Sequence, residues 1–253
     1  MMTTLFISDL HLTPERPAGI QAFERFAREI ALGAEELYIL GDLFDYWIGD
    51  DAGNHLGHGH TLRLLQDISR AGVRLYVMRG NRDFLLGEEF AAATGCVLLE
   101  EPTRLHLGGL STLLVHGDGL CTDDIDHQAF RRQVRAGDWQ ADFLARPIAE
   151  REAAARALRY QSDALKAGKP LEIMDVNPNA VESLMRDHDV ELLIHGHTHR
   201  PGMHELAVDA RPARRIVLGD WLDQESVLRV DGDRFVLSPD PTATTSSGRA
   251  AIV

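Results

Sequence analysis

The sequence predicts an α/β fold: a sandwich of two mixed β-sheets flanked by helices, with a helical cap inserted into the core. Three observations predict it. In the N-terminal part, short apolar runs such as "TTLFIS", "ELYIL" and "RLYVM" alternate with amphipathic segments, the pattern of strands joined by helices. From Cys96 to Gly117 apolar runs follow one another with only Pro102 and Gly108-Gly109 between them. These read as antiparallel meander strands. Between Cys121 and Gly168 the strand rhythm stops and an Arg-rich helical stretch replaces it.

Each element has its own justification. "LFIS" is a buried first strand, and "AFERFAREIA" carries apolar residues at helical spacing. "LRLLQDIS" is a second helix, closed by Ala71-Gly72 before the strand "RLYVM". "GEEFAAAT" is a short helix ended by Gly95. In the insertion, Gly137 and Pro147 interrupt the helical pattern. "PNAVESLMRDH" begins at the cap Asn177 with Pro178 in its first turn. "ELLIH" and "RRIVL" are later strands, and the polar, Pro-containing end reads as a disordered tail. The expected organisation is a core over 1–120 and 169–240, a cap over 121–168 and a tail over 241–253. No internal repeat is evident.

Composition limits the function. A chain of 253 residues with 44% apolar residues supports a sizeable core. Its formal net charge of −13 argues against a general nucleic-acid binder. Yet residues 130–170 hold nine basic side chains against five acidic ones, which suits an anionic substrate. Only Cys96 and Cys121 are present, as expected of a reducing compartment. The sequence opens directly into a strand, with no leader pattern, and no apolar run approaches the ~20 residues of a membrane span. The expected location is the cytoplasm, with at most peripheral membrane contact. Apolar residues within the basic insertion also fit a surface that meets acyl chains or a bilayer, although a helical hairpin packed on the core fits equally.

Five motifs carry the chemistry. Each ends an apolar strand with a metal-seeking side chain: Asp9 and His11 in "FISDLHL", Asp42 in "LYILGDLFD", Asn81 in "LYVMRGNRD", His116 in "LLVHGDG", and His197 and His199 in "LLIHGHTH". Singly, each could be a turn or core residue. Together they supply two carboxylates, one amide oxygen and four imidazoles, a set suited to two divalent ions of the manganese, iron or zinc kind. A paired-ion site is a device for attacking phosphorus with activated water. Asp42 is the candidate bridging carboxylate. Asp45, Asp83 and Asp118 are candidates for orienting groups around the ligands. His195 reads as a core histidine.

The D-x-H, G-D-x-x-D, G-N-R-D, H-G-D and G-H-x-H series resembles the calcineurin-like metallophosphoesterases over about residues 3–220. "GNRDFLLG", "HGDGLCTDD", "EIMDVN" and "LIHGHTHRP" resemble a bacterial branch of that superfamily. Its enzymes cleave the diphosphate of UDP-2,3-diacylglucosamine in the lipid A pathway at the cytoplasmic face of the inner membrane. The resemblance implies one metal shell of Asp9, His11, Asp42 and His199 and another of Asp42, Asn81, His116 and His197, filled by two manganese ions. It implies catalytic roles for Asp42, Asn81, Arg82, His116 and His197. It also implies substrate contacts from Asn81, Arg82, Asp124, Arg159, Ser162, Lys166, Lys169 and His197, with no nucleic acid and no obligate protein partner.

Arg82 is the informative departure from the wider superfamily, in which a His often stands there. An arginine stays protonated and does not serve readily as a general acid, but it grips phosphate through two parallel hydrogen bonds. That favours a leaving group stable without a proton, such as a phosphomonoester. The rival readings are another nucleotide phosphodiesterase and a non-enzymatic metal-bound scaffold; Arg82 and the insertion speak against the first, the complete ligand set against the second. The insertion is expected to select the acylated substrate and to be dispensable for metal binding.

Overall fold

A computed structural model describes residues 2–166, 175–222 and 225–238, with 161–166 described as backbone. The first sheet contains β1 (Thr3–Ile7), β2 (Glu36–Leu40), β3 (Arg74–Met78), β4 (Val97–Leu99), β10 (Val227–Asp231) and β11 (Arg234–Ser238), in the order β11-β10-β1-β2-β3-β4. The second contains β5 (Thr103–Leu107), β6 (Leu110–Leu114), β7 (Leu192–His195), β8 (Gly202–Val208) and β9 (Arg211–Val217), in the order β5-β6-β7-β9-β8. Both mix parallel and antiparallel pairs. β1, β2, β3 and β4 run parallel in sequence, as do β6, β7 and β9.

Strand residues alternate between two cores, which is why these strands read as unbroken apolar runs. Phe6, Tyr38, Leu40 and Met78 meet Leu114, Ile194 and Ile216 between the sheets. Leu5, Ile7, Leu37, Ile39 and Val77 face outward, against Phe23 and Phe26 of α1 (Pro17–Glu29), Leu65 and Ile68 of α2 (Gly59–Arg70), and Phe90 of α3 (Glu88–Thr94). On the far side, Val181 and Met185 of α7 (Pro178–Asp187) cover Leu113 and Leu193. The Asn177 side chain caps α7 by accepting from the Asn179 and Ala180 amides. Gly95 closes α3 in a left-handed conformation.

Two expectations are corrected. β4 and β5 are not meander neighbours. β4 pairs in parallel with β3, with α3 as the crossover, and β5 then opens the other sheet. Pro102 marks that change of sheet. Nor is the insertion a single helical hairpin: it forms three helices, α4 (Ile125–Val134), α5 (Gly137–Leu144) and α6 (Ile148–Lys166), with breaks beside the expected Gly137 and at Pro147. Val134 and Phe143 are buried, whereas Ile125, Leu158 and Tyr160 are exposed. The expected tail over 241–253 lies outside the described residues. Among the described residues, no helix is long and apolar enough to cross a membrane.

Candidate metal centre

The motif residues follow the C-terminal ends of parallel strands: Asp9 after β1, Asp42 after β2, Asn81 after β3, His116 after β6, and His197 and His199 after β7. This is the end of an open α/β sheet where ligands bind. Five of these seven side chains sit on strained backbone. Asp9 (φ 57°), His11 (48°), Asp42 (53°), His197 (68°) and His199 (56°) all adopt positive φ, a conformation that L residues disfavour and that concentrates at functional sites. The motif glycines are needed for space. A Cβ on Gly80 would overlap the Asp42 carboxylate and amide nitrogen, and one on Gly196 would overlap Ser8 Oγ and Asp9 Oδ2.

The side chains converge in two overlapping groups, Asp9 with His11 and His199, and Asp9 with Asp42 and His116. His11 Nε2 lies 3.2 Å from His199 Nε2, and Asp9 Oδ1 lies 3.3 Å from that same nitrogen. Asp42 faces both groups, with Oδ2 3.8 Å from His11 Nδ1 and Oδ1 3.6 Å from His116 Nε2. Asn81 Oδ1 approaches His116 Nε2 to 3.0 Å, and the His197 ring stands edge-on to His116 with centroids 5.1 Å apart. All seven predicted ligands therefore border one cluster.

Surrounding groups aim these side chains. His116 Nδ1 contacts the Leu40 carbonyl at 2.9 Å, and His199 Nδ1 lies 3.3 Å from Asp220 Oδ2. Asp83 acts on backbone instead of on imidazoles. Its carboxylate accepts from the amides of Asp42, Leu43, Phe44 and Gly80, tying the Asp42 and Asn81 loops together. His195 is buried, with Nδ1 on the Gly196 carbonyl, and burial pushes its pKa down to about 4.

The electrostatics fit a cation. Burial drives His11 and His197 well below the usual imidazole range. Burial also opposes charge on His116, yet Asp42, Asp9, Asp118 and Glu101 hold its imidazolium up to about 9. His199 likewise rises to about 10 against burial, through Asp220 and Asp9. Burial raises Asp42 well above the carboxylate range, with Asp83 and Asp9 adding to it. Protons on His116 and His199 thus offset charge that a divalent ion would offset as well, and metal uptake by such ligands releases protons. His11 Nδ1 is buried with no hydrogen-bond partner, and Asp9 Oδ1 has nothing beyond its 3.3 Å approach to His199 Nε2, as expected of atoms facing an ion.

The pattern of the calcineurin-like phosphoesterases matches residues 2–201. The chain belongs to that family. It is also 52% identical over 223 residues to a UDP-2,3-diacylglucosamine hydrolase of Cellvibrio japonicus, covering 88% of this chain and 92% of the relative. A protein of the same name from Azotobacter vinelandii is 49% identical over 242 residues, covering 95% and 99%. One from Marinobacter nauticus is 50% identical over 220 residues, covering 87% and 90%. As a calcineurin-like phosphoesterase, the chain is a metal-dependent hydrolase.

Beside this phosphoesterase centre lies a cavity of about 270 Å³. Asp45, Asn81, Arg82, Asp126 and His127 are among its polar lining, and Trp47, Phe84, Phe130, Trp139, Phe143 and Leu158 among its apolar lining. Arg82 donates nothing through its buried Nη1, which is 3.8 Å from Asp45 Oδ1; its Nε is 3.8 Å from Asp42 Oδ2. Of the residues expected to touch substrate, Asp124 and Arg159 line this cavity. Asp124 also caps α4 by accepting from the His127 amide, and Arg159 pairs with Asp45 at 3.1 Å. His127 stacks on His197 with ring centroids 5.5 Å apart. The side chains of Ser162 and Lys166, and Lys169 entirely, lie outside the described residues.

Several supporting residues escape motif reading. Asp220 follows β9 in "IVLGDW", and the signal that exposed Asp9 and Asp42, an Asp just past an apolar strand, was present there too. Glu101 accepts from the His116 amide at 2.7 Å. Arg131 meets Glu101 and Asp118, and Arg151 meets Asp51 at 2.5 Å. Their partners are 13 to 100 residues away, so no local pattern marks them.

Proposed function

We propose that this enzyme hydrolyses the diphosphate of UDP-2,3-diacylglucosamine to UMP and 2,3-diacylglucosamine 1-phosphate, a step of lipid A biosynthesis. The observation that carries the reading is a cavity lined together by Asn81 and Arg82 of a strand loop and by Phe130, Trp139, Phe143 and Leu158 of the insertion. The two ions are assigned as Mn²⁺, held by Asp9, His11, Asp42 and His199 and by Asp42, Asn81, His116 and His197. When bound, they supply activation of water and polarisation of the phosphoryl oxygens.

The chain's own groups do the rest. Arg82 clamps the diphosphate; its unpartnered Nη1 is free to donate, and its charge stabilises the oxygens of the transferred group. Asn81 borders both the ion cluster and the cavity, and His197 meets the cavity through His127, which stacks on it. The leaving sugar phosphate is stable as an anion, so an arginine suffices where a proton donor would otherwise be needed. Attack is assigned to the nucleotide-side phosphorus. Phe84, Trp139, Phe143 and Leu158 form the acyl surface, where each buried methylene contributes ~0.8 kcal/mol. Asp124, Arg159, Ser162, Lys166 and Lys169 orient the polar head. The exposed Ile125, Leu158 and Tyr160 suit peripheral contact with the cytoplasmic face of the inner membrane. No nucleic acid and no obligate protein partner enter the reaction.

The test is kinetic. Pure protein with Mn²⁺ is offered UDP-2,3-diacylglucosamine and non-acylated UDP-glucosamine. The expected result is UMP release with kcat/KM strongly favouring the acylated substrate; comparable values on both would refute the assignment.

A further inference from the structure

The insertion was expected to be separable from the metal centre, yet its first helix grips that centre from behind. Asp118, wholly buried, and Glu101, nearly so, lie beside the His116 loop. Helix α4 answers them with two arginines. Arg131 donates Nε to Asp118 Oδ2 at 2.9 Å and Nη2 to Glu101 Oε2 at 2.9 Å. Arg135 lies 3.4 Å from Glu101 Oε2 and 3.6 Å from Asp118 Oδ2, and donates to the Gly80 carbonyl at 3.4 Å. Gln128, on the same helix, donates to the carbonyls of Asp118 and Cys121. The other oxygen of Glu101 accepts from the His116 amide. One helix thus touches the backbone before Asn81 and, through Glu101, the backbone of His116. These are two of the residues assigned above to one metal shell.

We propose that Glu101 and Arg131 are positioning residues for the Asn81–His116–His197 half of the metal centre, so that α4 of the insertion sets metal affinity there. The physical reason is charge. Without Arg131, Asp118 and Glu101 would keep only the longer contacts of Arg135, and the weakened pairing of two carboxylates beside His116 would shift the loop that carries it. The arginine fork also fixes direction, because its parallel donors match two carboxylates in a way a lysine cannot. The opposite half of the centre, Asp9, His11 and His199, is anchored by Asp220 and the β1 and β7 loops and has no such contact with α4 among the described residues. α6 belongs to the same insertion but is pinned elsewhere, through Arg151 to Asp51 and the Ile48 carbonyl.

The proposal rests on the two-ion reading, and one experiment separates the two. Metal-free full-length protein is titrated with Mn²⁺ by calorimetry, with bound metal counted by elemental analysis. Wild type is expected to bind two ions; a single ion at saturation would overturn the two-ion reading itself. Arg131→Gln is expected to weaken one of the two ions by about tenfold or more, the size typical of groups that orient ligands, and to leave the other unchanged. The double variant Glu101→Gln/Arg131→Gln removes both charges while keeping an acceptor for the His116 amide, and should recover most of the loss. Arg151→Gln should not shift either ion. Should Arg131→Gln fail to fold, as judged by circular dichroism, Arg135→Gln gives the same comparison with a milder change. Unchanged affinity for both ions in a folded Arg131→Gln or Arg135→Gln protein overturns the proposal. So does an equal loss in Arg151→Gln, which would mark general loosening of the insertion, or no recovery in the double variant.

Discussion

The loops after the strands and the inserted helices border the same cavity but are built by opposite rules. In the loops, Asp9, His11, Asp42 and His116 are buried, five of the seven candidate ligands sit on positive-φ backbone, and neighbouring glycines leave no room for a Cβ. In the insertion, many side chains are exposed, Gly137 has open space around it, and a few arginines make the long-range contacts. On the proposed function, the difference separates the part that holds chemistry from the part that holds choice. Reacting groups need fixed geometry, so strain and close packing are tolerated there. A surface for acyl chains needs area and shape, which many side-chain combinations supply.

The comparison breaks most severely at Asp42. Asp42→Ala should lower kcat by more than about 10²-fold, as loss of a single preorganised electrostatic group does, and should lose most bound metal. Elemental analysis of the variant, beside a UMP-release assay, checks this; retention of both metal and turnover would remove Asp42 from the proposed bridging role.

Arg82 tests the boundary between the two regions. Arg82→Lys should reduce kcat/KM by about tenfold or more, since a forked contact becomes a point charge. Arg82→His should not restore the wild-type rate on the diphosphate substrate. A histidine variant as fast as wild type would show that proton donation, not clamping, is the limiting need.

A pair of alanine substitutions sharpens the contrast directly. Gly196→Ala should destabilise the protein by about 1–3 kcal/mol through overpacking against Ser8 and Asp9, or else displace Asp9 and weaken metal binding. Gly137→Ala, with no atom within 4 Å of its Cβ, should be neutral or stabilise by up to about 1 kcal/mol. Chemical denaturation of both variants decides; equal destabilisation would mean that the insertion is packed as tightly as the loops.

The smallest effect is expected at Leu158, which lines the cavity and is 38% exposed. Leu158→Asn should raise KM for the acylated substrate a few-fold, consistent with about 1 kcal/mol of lost apolar contact, with Tm unchanged. An unchanged KM would place the acyl chains elsewhere.

The chain order alone was enough to pick out the side chains that the fold brings together, because each follows an apolar strand in a motif of a few residues, and strand, turn and side chain are all local. The same holds for the caps at Asn177 and Gly95, where a single residue type satisfies helix-end groups. The mixed-sheet sandwich followed from strand-helix alternation. Locality fails for the assignment of strands to sheets: "CVLLEE" and "TRLHL" look like consecutive meander strands, but α3 serves as the crossover that places β4 parallel to β3, and β5 begins the other sheet. It fails again for the residues that aim the ligands. Asp220 meets His199, Glu101 meets the His116 amide, and Arg131 bridges Glu101 and Asp118. Only tertiary structure decides those pairings. A buried charge must find its opposite in space, and the folded chain, not the spacing along it, sets which charges are near.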